Sequence, residues 1–403
     1  MVSTVNGGVE VIHMAKVENI DNLKANMADY DKIIDRIKEI LKGNTQRYTV
    51  VINENNKIIK NEDTFWALKL LGAKLILVSD KEEEVNISIE FLGYYDEISD
   101  PGIRVYNNTL ELVNKDKPTP IVKLNNIIEN NDINIWAKLE WYNPFSQSIK
   151  DRTAWYIIEN SKEEIKNKEF IYEVTSANTG IALAAISSIL NKKSKIFIPK
   201  GAPEYALKVL EILGSIAVVE GETTNDLIKK VIDEAVKDNA FVPNQFKNIF
   251  NVLVHIRYTS KEIEYQARYG KIKIKGIFAS MGTGGHIAGI SFYFHNRDNN
   301  IKVFGVQPKE NSPIPGIKRQ NFDDWWLTKE KPDLILDVSK NDAISALKKV
   351  AKHNGIIPGL SSGAVLAGII KAYNEGLIEK GDYICILPDN GLKYLNEIIK
   401  SSQ

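Results

Sequence analysis

The chain has 403 residues, enough for two or three domains and at least one large core, and its apolar and charged fractions, 43% and 26%, are those of an ordinary water-soluble globular protein. Lys+Arg and Asp+Glu stand at 52 each, so the net charge is zero, which removes the electrostatic case for a nucleic-acid or membrane partner. No apolar run is long enough to span a membrane, no secretory leader is recognisable, and the one cysteine, Cys385, has no internal disulfide partner, so a reducing cytosol is expected.

Residues 1–112 differ from the rest. Residues 27–41 place Ile33, Ile34, Ile37, Ile40 and Leu41 at helical spacing. Residues 49–52 read as a strand, 65–71 as a helix closed by Gly72, and 75–78 as another strand. No catalytic motif falls here. The segment is expected to be a small α+β extension, with a break near 115–120 before a second region, 113–403.

From Pro118 onward strands and helices alternate. The runs 135–141, 170–174, 195–199, 216–219, 276–280, 303–306 and 383–387 are strand-like, and Cys385 sits inside the last. Residues 179–190, 204–213 and 225–236 are helical. Such alternation predicts an α/β region of mostly parallel sheets, whose ligands gather at loops after the carboxyl ends of strands.

Five motifs fall at such loops. Residues 143–152 read Asn-Pro-Phe-Ser-Gln-Ser-Ile-Lys-Asp-Arg, a turn-rich loop ending at Lys150, which opens a helix beginning near Asp151. An ammonium there is opposed by the helix dipole, and a neutral amine is what Schiff-base chemistry requires, although an isolated lysine is most simply a solvated one. Residues 173–180, Glu-Val-Thr-Ser-Ala-Asn-Thr-Gly, could cap a helix or receive a carboxylate on hydroxyls and backbone N–H groups. Residues 280–286, Ser-Met-Gly-Thr-Gly-Gly-His, are a tight turn or a phosphate cradle, and match neither the dinucleotide fingerprint nor a P-loop. Residues 358–364 and 388–394 open a helix and follow a strand. The other histidines, His13, His255, His295 and His353, offer no metal-site spacing.

Together, and in this order, the motifs resemble those of the fold-type II pyridoxal-phosphate (PLP) enzymes of the cysteine synthase and cystathionine β-synthase group, over roughly 118–394. Within that group the run Leu-Glu-Trp-Tyr-Asn-Pro-Phe-Ser at 139–146, the N-terminal extension and His286 resemble the archaeal O-phosphoserine sulfhydrylases. The resemblance implies a tryptophan synthase β-like fold of two open α/β subdomains, and a homodimer. It implies that Lys150 carries the cofactor and moves the Cα proton, and that Asn178 bonds the cofactor's 3-oxygen. Gly282, Thr283, Gly284, Gly285 and His286 would cradle its phosphate. Ser361 would face the pyridine nitrogen and leave it unprotonated, which favours β-elimination through an aminoacrylate. Thr175, Ser176, Thr179 and Gln245 would take the substrate carboxylate. Lys318, aligned with an arginine of the phosphoserine enzymes, and Arg319 after it would meet a substrate phosphate. The common cysteine synthase pattern has glycine at 177 and threonine at 286; here Ala177 and His286 stand in those places.

The activity this implies is O-phospho-L-serine sulfhydrylase, phosphate replaced by sulfide to give L-cysteine. O-Acetylserine sulfhydrylase or cystathionine β-synthase would use the same residues. Threonine synthase and dehydratase relatives fit the Asn-Pro-Phe-Ser context less well. A non-catalytic PLP-fold binding protein would be expected to have lost the lysine or the glycine loop, and both are present.

Overall fold

The computed structural model of the chain describes residues 15–25, 29–98, 102, 104–175, 177–320 and 325–400. It separates into two compact units, one of Met1–Ser99 with Phe292–Asn299, the other of Asp100–Ser291 with Asn300–Gln403.

In the first unit a four-stranded sheet runs in the order Lys16–Asn19, Leu75–Ser79, Val50–Ile52, Ile58–Lys60. The expected helices are Tyr30–Gly43 and Glu62–Leu71; Met27 lies outside the described residues. Gly72 ends the second helix at φ +87°, a left-handed conformation suited to glycine. Ile33, Ile34, Ile37, Ile40 and Leu41 are all buried. Phe292–Asn299, the end of a helix that starts at Gly285, belongs to this unit. The Lys38 ammonium lies over the Phe292 ring, the Tyr94 and Tyr293 hydroxyls bond at 3.1 Å, and Arg297 donates to Asn44 Oδ1 at 2.8 Å. A chain starting at Pro118 would strip these partners from Phe292 and Tyr293, both buried. It should self-associate or precipitate, as size-exclusion chromatography would report. A soluble truncation with full activity and an unchanged melting curve would contradict this.

The second unit includes the residues just before Pro118. Val113 is buried, and Lys117 lies over the Tyr258 ring, 3.3 Å from its centroid. A six-stranded sheet runs Leu334–Val338, Lys302–Pro308, Ile274–Ser280, Gly381–Leu387, Ile133–Leu139, Ile121–Leu124, parallel except for the last pair. A three-stranded parallel sheet runs Ile216–Val219, Lys193–Ile198, Phe170–Val174. Each has its own core. Phe278 and Phe304 stack at 4.2 Å on the first sheet, and Tyr172, Phe197, Leu227 and Val231 pack at the second. The near-continuous apolar strands suit sheets covered on both faces. The mostly parallel sheets are those expected from the alternation, and their division into two is what the resemblance implied. Cys385 is buried mid-strand, and burial pushes its thiol up.

Glu140 and Trp141, expected at the end of a strand, instead form the 3₁₀ turn Glu140–Tyr142. Asn143 Nδ2 donates to the Glu140 carbonyl at 2.7 Å, and Arg152, twelve residues on, holds the Glu140 carboxylate. Among the described residues no helix is long and apolar enough to cross a membrane.

Candidate active site

The loop before Lys150 is folded by an acid. The Asp151 carboxylate accepts the N–H of Phe145 at 2.7 Å and of Ser146 at 2.9 Å, and the Ser146 hydroxyl as well. The chain thereby doubles back, and the helix Lys150–Asn160 starts at Lys150 itself. Lys150 is half-buried, with Nζ 3.5 Å from Thr283 Oγ1. Burial brings its amine down to about 8, with Glu173 opposing and the Lys318 charge assisting.

Strand Phe170–Val174 delivers the next loop. Glu173 is buried, and burial pushes its carboxyl up to about 7 although it accepts the N–H of Val174 at 2.9 Å and of Gln245 at 3.1 Å. Gln245 is therefore anchored, and the Thr179 hydroxyl donates to its Oε1 at 2.8 Å. Thr175 is buried beside them. Ser176 lies outside the described residues. Ala177, where the family pattern has glycine, precedes the next helix with φ −175° and ψ −79°. Asn178 and Thr179 open the helix Asn178–Ile189.

Strand Ile274–Ser280 delivers the glycine turn. Gly284 sits at φ +84°, where a Cβ would also fall 2.8 Å from Trp326 Nε1. His286 is 7% exposed and faces His255, ring centroids 5.3 Å apart. Burial, then the charge of Lys150, lowers it to about 3, so the ring is neutral at physiological pH.

These loops close around a cavity of about 590 Å³. Lys150, Thr175, Asn178, Thr179, Gln245, Gly282, Thr283, Gly284, His286, Lys318 and Ser361 all line it. Two expected residues do not. Gly285 packs outward, where a Cβ would fall 2.5 Å from the Asn251 amide. Arg319 turns away because its guanidinium is claimed elsewhere, by Asp337 at 2.8 Å and the Pro308 carbonyl at 3.0 Å. Lys318 stays in the wall, its ammonium 5.4 Å from the Phe246 ring centroid.

Asn251 was not singled out from sequence. Its amide donates to the Gln245 carbonyl at 2.8 Å and to Thr283 Oγ1 at 2.9 Å, and accepts from Thr153 at 3.0 Å, so one side chain ties two loops to the helix that starts at Lys150. The available signal was an asparagine inside the apolar helix Phe250–Val254, since a buried amide needs partners.

A phosphorylated cofactor fits this cavity. His286 Nε2 is buried with no partner among the described residues, beside a turn whose glycines leave backbone approachable. The amine of Lys150, brought down by burial, lines the same space. A family model described as pyridoxal-phosphate dependent enzyme matches residues 114–389. The chain belongs to that family. Cysteine synthase B of Escherichia coli K12 is 31% identical to this PLP enzyme over 293 residues, 69% of this chain and 92% of that one. A cysteine synthase of Staphylococcus aureus Mu50 is 33% identical, over 69% and 93%. Among solved structures, the O-acetylserine dependent cystathionine β-synthase of Helicobacter pylori matches with TM-score 0.66 at 26% identity, over 73% of this chain and 98% of its own. Cysteine synthase of Entamoeba histolytica matches with TM-score 0.67 at 27% identity, over 75% and 93%. The chain is thus a PLP-dependent enzyme of the cysteine synthase family, a transferase of the EC 2.5.1 type.

Proposed function

We propose that this enzyme is an O-phospho-L-serine sulfhydrylase, working as a homodimer in the cytosol and replacing the phosphate of O-phosphoserine by sulfide to give L-cysteine. The observation that carries the choice of substrate is Lys318, a cation in the cavity wall whose charge reaches Lys150. A dianionic leaving group in a closed site needs such a partner, and an acetyl group does not.

Pyridoxal phosphate, carried by Lys150, supplies the electron sink that acidifies the Cα–H of the bound amino acid. The protein residues do the rest. Lys150 Nζ takes the Cα proton, and its lowered basicity leaves a usable neutral fraction near pH 7. Thr175, Ser176, Thr179 and Gln245 hold the substrate carboxylate, with Glu173 and Asn251 fixing Gln245. His286, neutral, would hold the cofactor phosphate together with the turn 282–284. Asn178 would donate to the cofactor's 3-oxygen, and Ser361 would face its ring nitrogen. Lys318 steadies the phosphate as the Cβ–O bond breaks; sulfide then bonds to Cβ, and Lys150 returns the proton to Cα.

Lys318→Ala should lower kcat/KM for O-phosphoserine roughly ten- to a hundredfold, the worth of one charge-assisted contact of about 1.5–3 kcal/mol, and barely touch O-acetylserine. Arg319→Ala, whose guanidinium serves Asp337, should do less. Lysine binds phosphate as a point charge, so Lys318→Arg should keep most of the activity. Equal losses on both substrates, or none on either, would remove the case for the phosphorylated one.

O-Acetylserine is the second reading. Two solved relatives carry it in their names or class, and every residue above except Lys318 serves it equally. Turnover of both substrates with sulfide, side by side on the wild type, separates them.

A further inference from the structure

The motif at 388–394 has no part in the chemistry described so far, yet two of its side chains meet one amide. Asp389, 1% exposed, accepts from Asn178 Nδ2 at 2.9 Å. Lys393 Nζ donates to Asn178 Oδ1 at 2.9 Å, and the Tyr205 hydroxyl reaches the same oxygen at 3.4 Å. A carboxylate only accepts and an ammonium only donates. The amide therefore cannot turn over: its oxygen is committed to the lysine and one N–H to the aspartate. The second N–H is what Asn178 has left to offer the cavity it lines.

The two holders are themselves fixed. The Tyr394 hydroxyl donates to the same Asp389 oxygen at 2.8 Å, and the Ser362 hydroxyl to the Asp389 carbonyl at 2.9 Å. A Cβ at Gly359 would fall 2.0 Å from Asp389 Oδ1, so only glycine lets the carboxylate sit there. Lys393 also donates to the carbonyls of Ser146 and Gln147, in the loop that ends at Lys150.

We propose that Asp389 and Lys393 are positioning residues that lock the Asn178 amide with its remaining N–H toward the 3-oxygen of the cofactor, and so favour the ionised form of that oxygen. The proposal rests on the reading of Asn178 given above. A fixed donor favours the charged form of its acceptor, so releasing the amide should move the titration of that oxygen upward.

The test is the pH dependence of the visible band of the holoenzyme, read with cofactor content and a melting curve. Lys393→Met should raise the titration midpoint by about one pH unit or more, the scale of one hydrogen bond to a charged acceptor. Lys393→Arg, which keeps a donor, should restore the wild-type midpoint. Asp389→Asn should give a smaller rise. Asn178→Ala should shift fully, and Lys393→Met added to it should do nothing more. A purely structural role would lower cofactor content or Tm and leave the midpoint where it was. If Lys393→Met and Asp389→Asn both keep the wild-type midpoint while Asn178→Ala moves it, the proposal is overturned. If Lys393→Met fails to fold, an unmoved midpoint in Asp389→Asn overturns it alone. If Asn178→Ala itself leaves the midpoint unmoved, the reading of Asn178 is what fails.

Discussion

Lys150→Ala should reduce β-replacement by at least about 10⁴-fold, because positioned proton transfer alone contributes about 10²–10⁴ and the covalent anchor is lost with it. The cofactor should then bind only non-covalently, and the visible band should change. The wild-type amine adds a pH signature. Its basicity is depressed to about 8, so the neutral form grows as pH rises and dominates above that value. Capture of added cofactor by the apoprotein should accelerate with pH and level off above about 8, well below the usual lysine range. A Lys150→Ala enzyme retaining about a tenth of wild-type turnover would contradict both the anchor and the base assignment.

Arg152→Met should be the most damaging substitution for stability. Two residues beyond Lys150, the Arg152 guanidinium donates to Glu140 at 2.6 and 3.0 Å and to Glu262 at 2.7 and 2.8 Å. Lys138 donates to Glu262 at 2.8 Å, and all four side chains are buried. Two cations balance two anions. Burial works against the ionised form of Glu262, but Arg152 and Lys138 outweigh it and hold the carboxyl well below its usual range. Removing Arg152 takes away the guanidinium that both buried carboxylates share. Breaking a buried pair in this way costs about 3–5 kcal/mol, against a total stability of about 5–15 kcal/mol. Denaturant unfolding should show a loss on that scale, with Lys in place of Arg recovering only part of it because the fork is gone. The deficit should shrink as pH falls. In the variant the orphaned carboxyl has a raised folded-state pKa, so stability is lost as pH rises through it. A variant within about 1 kcal/mol of wild type would show that the cluster contributes little beyond packing.

The sequence was most readable where local pattern and tertiary demand agree. The run 170–174 is a strand at those bounds and almost wholly buried, whereas 216–219, also a strand at its expected bounds, is the edge of its sheet and mostly exposed. The glycine turn and Lys150 stand out in the sequence as unusual residues in order along the chain, and the structure brings both to one cavity wall. What stayed hidden depends on partners distant in sequence. Phe292–Asn299 looks like the end of an ordinary helix and the residues after it, and contacts with Lys38, Tyr94 and Asn44 among others tie it to the first unit. Lys318 and Arg319 are adjacent and alike, yet Asp337 takes one of them out of the cavity. Glu140 reads as strand until Arg152 pins it. Asp389 and Lys393 were visible as a motif, but their joint hold on Asn178 needs three segments brought together.

Borohydride reduction of the wild-type holoenzyme, followed by peptide mapping, tests the cofactor anchor at its root. Reduction should make the link to the cofactor permanent and leave it on one peptide, the one containing Lys150. Recovery of the label on any other lysine, Lys318 included, would mean that the cavity has been assigned the wrong nucleophile and that the proton-transfer role given to Lys150 falls with it.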